Sequence, residues 1–68
     1  MRTYGKLREL IRAKFGTLGA FADAMGMNRG TLSGKINGLV AWKQDEIEKA
    51  CYLLGIPMEK VCEYFFYQ

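Results

Sequence analysis

The stretch that decides the fold is FADAMGMNRGTLSGKING, residues 21–38. Apolar side chains recur at spacings of three and four on both sides of Gly26, which predicts two short amphipathic helices. Gly26 suits the positive φ of a sharp turn, and Asn28 suits the cap of the helix that follows. Small Ala22 allows the two helices to approach closely, and Met27 is expected to point inward. Two short helices joined by about three residues form a helix-turn-helix unit.

The other segments show the same helical periodicity between Gly and Pro residues, which predicts an all-α chain of five short helices. We expect the first helix to run from Thr3 or Tyr4 to Gly16. Thr17 should cap the second, so that the helix-turn-helix core spans 17–38. The fourth should begin near Lys43, and the fifth near Pro57. The side chains expected to face inward are Leu7, Leu10, Ile11, Phe15, Leu18, Phe21, Ala22, Met25, Leu32, Ile36, Leu39, Ile47, Ala50, Cys51, Leu54, Met58, Val61 and Phe65.

The length and the composition limit the classes of function that this chain can have. The chain of 68 residues has room for one domain, residues 1–68. It has no histidine, one serine (Ser33) and two distant cysteines (Cys51 and Cys62), so we expect no enzyme, no cofactor and no metal site, and two buried, reduced thiols. The charged N-terminus does not resemble a signal peptide, and no stretch has the ~18 apolar residues of a membrane span. We therefore expect a cytoplasmic protein.

Charge is unevenly distributed along the chain. Residues 1–43 carry eight basic and two acidic side chains, a net charge of +6, whereas residues 44–68 carry two basic and five acidic ones, a net charge of −3. A chain with one basic part is suited to bind a polyanion. Around the third helix, Leu32 and Ile36 fall on one side and Arg29, Ser33 and Asn37 on the other, together with Gly30 and Gly34.

Several motifs carry a family resemblance. Residues 17–38 resemble the helix-turn-helix of the phage lambda repressor and Cro family, also called the XRE family. LSGKING at 32–38 and EYFF at 63–66 are similar to the small Cro-sized repressors of Gram-positive bacteria and their phages. The five-helix order and LLGI at 53–56 extend the resemblance over most of the chain.

The resemblance implies a recognition helix, residues 28–37, in the major groove of a double-stranded DNA operator. Arg29 is the strongest candidate base reader, because its fork matches the two acceptors of guanine. The implied base-reading set is Asn28, Arg29, Gly30, Ser33 and Gly34. The implied phosphate contacts are Thr17, Lys35, Asn37 and Lys43, with Lys6, Arg8 or Arg12 added from the first helix. The chain departs from the family at Leu18, where glutamine often touches phosphate, and at the two glycines, which have no side chain to read a base.

The C-terminal aromatic residues predict contact with another chain. Four consecutive residues, Tyr64, Phe65, Phe66 and Tyr67, cannot all face one side of a helix, so some are exposed or pair with a second copy. We therefore expect a homodimer that reads half-sites about 34 Å apart.

Two functions follow from the sequence. The first is a sequence-specific DNA-binding transcriptional regulator, a phage-type repressor that excludes polymerase from its operator; the positive charge of residues 1–43 and Arg29 favour it. The alternative is a protein-interaction module on the same fold, an antirepressor or antitoxin. Leu18, Gly30, Gly34 and the aromatic tail favour that alternative.

Overall fold

The computed structural model describes residues 4–66, and every regular element in that range is helical. Four α-helices are followed by a C-terminal helical segment, which consists of a 3₁₀ turn and a π-helical turn. This architecture confirms the predicted all-α class. The elements are α1 (Gly5–Phe15), α2 (Leu18–Met25), α3 (Arg29–Ile36), α4 (Gln44–Leu54), the 3₁₀ turn Met58–Lys60 and the π-helical turn Cys62–Phe66.

Local capping chemistry sets the limits of the first three helices, as the sequence predicted. The backbone nitrogen of Gly16 donates to the Arg12 carbonyl and ends α1. The Thr17 hydroxyl accepts from the Ala20 backbone nitrogen at 3.1 Å and begins α2. Gly26 ends α2 in the left-handed region, at φ 76°. Because each of these residues bonds to a backbone group at most four residues away in the chain, the signals can be identified without knowledge of the tertiary structure.

Helix α2 lies at the centre of the domain and contacts α1, α3 and α4. Phe21, on its inner face, is fully buried and meets the Phe15 ring edge-to-face at 5.1 Å between centroids. Burial of these aromatic and aliphatic side chains is the main source of stability in so small a domain. The largest fully buried side chains are Phe21, Phe65, Leu7, Ile11, Leu32, Ile36 and Leu54.

A cluster of three aromatic rings closes the core between the α3–α4 loop and the two ends of the chain. Trp42, in the loop, meets Phe65 edge-to-face at 5.0 Å and Tyr4 at 6.4 Å between ring centroids. The Trp42 indole nitrogen Nε1 is buried and has no hydrogen-bond acceptor among residues 4–66. Among the described residues, Trp42 is therefore held against the core by packing with these rings and not by a hydrogen bond.

Three inward-facing or buried assignments from the sequence are wrong. Leu39 is 78% exposed and Met58 is 75% exposed, because helix α3 stops at Ile36 and the C-terminal segment begins with a tight 3₁₀ turn. Cys62 is exposed, whereas Cys51 is buried, and burial raises the pKa of the Cys51 thiol. Within residues 4–66, no helix has the length and apolar character needed to cross a bilayer.

Candidate functional site

The exposed face of α3 begins at a well-defined cap. The Asn28 side-chain oxygen Oδ1 accepts from the Thr31 backbone nitrogen at 2.7 Å, so Asn28 has a structural role at the start of the predicted recognition helix. Arg29 follows directly and is exposed. A Cβ atom added at Gly19 would lie 3.9 Å from Arg29 Cδ, which places the Arg29 stem beside α2. The structure thus presents Arg29 at the surface where α2 and α3 meet.

A second polar group lies at the opposite end of α3. The Arg8 guanidinium nitrogen Nη2 donates to Asn37 Oδ1 at 2.8 Å, and Asn37 Nδ2 donates to Ser33 Oγ at 3.4 Å. Arg8 is therefore the first-helix cation that reaches the α3 face. Lys6 instead forms an ion pair with Glu63 at 3.3 Å, beside the C-terminal segment.

Lys35 does not fit the role of a phosphate contact, and this assignment is corrected. Its side chain is only 3% exposed, and Nζ lies 2.8 Å from Glu46 Oε1 and donates to the Ala41 carbonyl at 2.8 Å. Helical periodicity placed Lys35 on the polar side of α3, but the α3–α4 loop folds over it. Its charge is neutralised inside the domain and is not presented to a polyanion.

Glu46 receives two donors on one carboxylate oxygen. Besides Lys35 Nζ, the Lys43 backbone nitrogen donates to Glu46 Oε1 at 2.8 Å and closes the first turn of α4. Burial by itself raises the pKa of Glu46, but the hydrogen bonds from Lys35 and Lys43 and the charges of both side chains outweigh it, and the pKa is lowered overall. Glu46 therefore remains ionised within this small buried network.

Gly34 faces the chain's own loop, so its assignment as a base reader is also corrected. Its carbonyl accepts from the backbone nitrogens of Leu39 and Val40 at 2.8 and 3.2 Å. A Cβ atom at this position would lie 3.0 Å from Val40 Cγ2. The glycine permits the loop to close over α3. Gly30 is different, because it is exposed and a Cβ there would meet only Asn28 Oδ1, at 3.5 Å.

An apolar edge that was not predicted from the sequence lies beside the α3 face. Leu39 is 78% exposed and Val40 is 46% exposed, directly after the helix. The signal was present in the run LVAW at 39–42, which is unusually apolar for a loop.

Thr17 and Lys43 are both exposed, as the phosphate-contact hypothesis requires. We define the α3 surface as Arg8, Thr17, Asn28, Arg29, Gly30, Ser33, Asn37, Leu39, Val40 and Lys43.

The C-terminal aromatic residues divide between core and surface. Phe65 is 1% exposed and packs on Trp42, so its assignment as a dimer contact is wrong. Tyr64 is half-buried, with Lys6 Nζ 5.5 Å from its ring centroid. The Phe66 side chain and Tyr67 lie outside the residues that the structure describes. Tyr64 is consequently the one predicted partner contact with a described, partly accessible ring.

The fold and this surface define a small all-helical domain whose α2–turn–α3 unit presents exposed basic, polar and apolar side chains side by side. The chain belongs to the family described as protein of unknown function (DUF739), whose model matches residues 2–68. No curated protein matches the sequence.

Among solved structures, the chain is similar to the modulator of repression (MOR) of the temperate bacteriophage TP901-1 from Lactococcus lactis, determined in solution. The two are 42% identical in sequence, with a TM-score of 0.83, and the match covers 94% of this chain and 86% of that one. The similarity thus extends over nearly the whole domain.

The Lys35–Glu46 pair is expected to be a major source of stability. Replacing Lys35 by Met leaves the Glu46 carboxylate in a largely buried position without its cation, which should lower the free energy of unfolding by about 3 kcal/mol. Urea unfolding followed by the fluorescence of Trp42, the single tryptophan, measures this change.

The matched variant Glu46→Gln keeps an acceptor for the Lys43 backbone nitrogen and removes the charge. Because the pKa of Glu46 is lowered by folding, its contribution is present above the unfolded pKa and is lost as the pH falls through the folded value. Glu46→Gln should therefore flatten the acid side of the stability profile. Additive effects of Lys35→Met and Glu46→Gln in the double variant would contradict a direct pair.

The two glycines of α3 should respond in opposite ways to alanine. Gly30→Ala fills open space in a helix and should stabilise the domain by about 0.5–1 kcal/mol. Gly34→Ala forces its methyl group against Val40 and should destabilise it by about 1–2 kcal/mol. Urea unfolding of both variants measures the difference. Val40→Ala in the Gly34→Ala background should recover most of the loss, and failure to do so would show that the 3.0 Å contact is not the cause.

Proposed function

We propose that this protein is a regulator of repression in a temperate phage, which acts in the cytoplasm through the α3 surface. The observation that carries the proposal is the 42% identity, over 94% of the chain, to a protein named as a phage modulator of repression. The α3 surface offers exposed side chains for binding, because one side of this short helix does not pack against the core.

The first candidate mechanism is sequence-specific reading of a double-stranded DNA operator. Arg29 is exposed at the N-terminal end of α3, where its guanidinium has the geometry to bind guanine. Exposed Thr17 precedes α2, exposed Lys43 precedes α4, and Arg8 donates to Asn37 at the far end of α3, so each is a candidate partner for a backbone phosphate. In this mechanism a homodimer reads two half-sites about one helical turn apart.

The second candidate mechanism is binding of another protein through the same surface, as an antirepressor does. Exposed Leu39 and Val40 favour it, because an apolar edge has no partner on a phosphate backbone. The internal pairing of Lys35 favours it too, since it removes a cation from the surface. Gly30 and Gly34 also leave the centre of α3 without side chains that discriminate between bases.

Substitution of Arg29 distinguishes sequence-specific reading of DNA from nonspecific electrostatic binding. The operator is first obtained by selecting from a randomised duplex pool at moderate salt. Arg29→Ala should then weaken operator binding by about 1–3 kcal/mol with the fold intact. Lys60→Ala removes the same charge from an exposed residue of the C-terminal segment and should have little effect. An unenriched pool, or equal losses in both variants, would contradict sequence-specific reading by Arg29.

Leu39 tests the protein-binding mechanism. If the α3 surface binds the DNA-binding domain of a phage repressor, Leu39→Ser should weaken that complex about tenfold or more, because a buried interface leucine becomes polar. Leu39→Met keeps the apolar contact and should bind nearly as wild type. Isothermal titration of the purified proteins measures both. Retention of full affinity in Leu39→Ser would exclude the loop from the interface.

A further inference from the structure

A cleft of about 420 Å³ lies between α4 and the C-terminal segment, and none of its lining residues belongs to α3. Its volume falls within the ~300–1,000 Å³ of ligand pockets. One wall is a single face of α4, from Gln44 through Ile47 and Glu48 to Cys51. Met58 and Val61 form the opposite wall, and Trp42 closes one side. The lining is therefore mostly apolar, with polar groups at the Gln44 and Glu48 end.

Exposed apolar side chains extend this surface beyond the cleft. Met58 is 75% exposed, and Tyr52, one turn along α4 from Glu48, is 86% exposed. Met, Tyr and Trp are enriched at protein interfaces, and flexible Met side chains adapt to different partners. A surface that continues outside the cleft is larger than a small molecule would cover. It matches an amphipathic segment that places one or two side chains in a groove.

The one charged side chain among the residues that line the cleft is acidic. Glu48 lines it, and Asp45 and Glu59 are exposed neighbours of the lining residues Gln44 and Met58. Among residues 4–66, no ion pair involves these three carboxylates, whereas Glu46 and Glu63 are paired with Lys35 and Lys6. Lys49 reaches the Met25 carbonyl on α2 at 3.4 Å, whereas Lys43 and Lys60 neighbour the lining residues Gln44 and Val61 as Asp45 and Glu59 neighbour Gln44 and Met58. The negative charge in the lining of the cleft is therefore that of Glu48.

We propose that this cleft docks a basic amphipathic segment of another protein, whose apolar side chains enter between α4 and the C-terminal segment while a Lys or Arg side chain faces Glu48. The unpaired Glu48 carboxylate favours a basic segment over an acidic one, since like charges repel. The site is independent of the α3 surface and does not rest on the function proposed for it.

The test uses two synthetic peptides of about 14 residues, or four helical turns, with leucines at helical spacing. One carries lysine at its polar positions, and the other carries glutamate. Trp42 lines the cleft, so its fluorescence reports binding. The full chain should bind the Leu/Lys peptide saturably at 0.15 M salt, and the Leu/Glu peptide at least about tenfold more weakly.

Charge reversal at the rim should weaken binding of the Leu/Lys peptide about tenfold in Glu48→Lys. The control Glu9→Lys makes the same change on an exposed residue of α1 and should bind as wild type. Arg29→Ala should also leave peptide binding unchanged, so this result is separate from the test of the α3 surface.

Equal binding of the two peptides, or equal losses in Glu48→Lys and Glu9→Lys, would overturn the proposal. So would self-association of the wild-type chain in sedimentation equilibrium that Met58→Asp abolishes, because a second copy would then occupy the cleft.

Discussion

The buried contact between Lys35 and Glu46 is the interaction on which the arrangement of the functional surface depends. One ammonium group joins the last turn of α3 to the Ala41 carbonyl in the loop and to a carboxylate in the first turn of α4. Three consecutive segments are thereby held as one unit. The exposure of Leu39 and Val40, and the position of Lys43 at the start of α4, follow from how this unit closes.

The same contact explains why Gly34 is a glycine. With the loop held down by Lys35, the backbone of Leu39 and Val40 bonds to the Gly34 carbonyl, and Val40 occupies the space that a side chain would need. A glycine that looks like an adaptation for close approach to DNA is thus accounted for by packing within the chain. Gly30 has no such internal explanation, because a Cβ there would make only an ordinary contact, 3.5 Å from Asn28 Oδ1.

Local signals in the sequence were sufficient to predict the helices but not the path of the α3–α4 loop. Thr17, Gly26 and Asn28 act on backbone groups within three or four residues, so caps and turn could be predicted. The burial of Lys35 depends on Glu46, eleven positions away, and on a loop whose path periodicity does not determine. Leu39 was placed inward because the helical pattern was continued past the end of α3, and Met58 because an α-helical period was applied to a segment that begins with a 3₁₀ turn. At the candidate surface, Arg29 was identified correctly as exposed, whereas the apolar edge was not.

The segregation of charge along the chain becomes a segregation of surfaces in the folded domain. Arg8, Arg29 and Lys43 belong to the α3 surface, while Glu48 lines the cleft against the C-terminal segment and Asp45 and Glu59 neighbour its lining residues in the chain. A polyanion is attracted by the first set and repelled by the second, and a basic segment experiences the reverse. No residue is shared between the α3 surface and the cleft lining, but Lys43 lies in the chain between Trp42 and Gln44, which line the cleft. The basic and the acidic surface therefore adjoin at the start of α4, where a charge of either sign is close to one that opposes it.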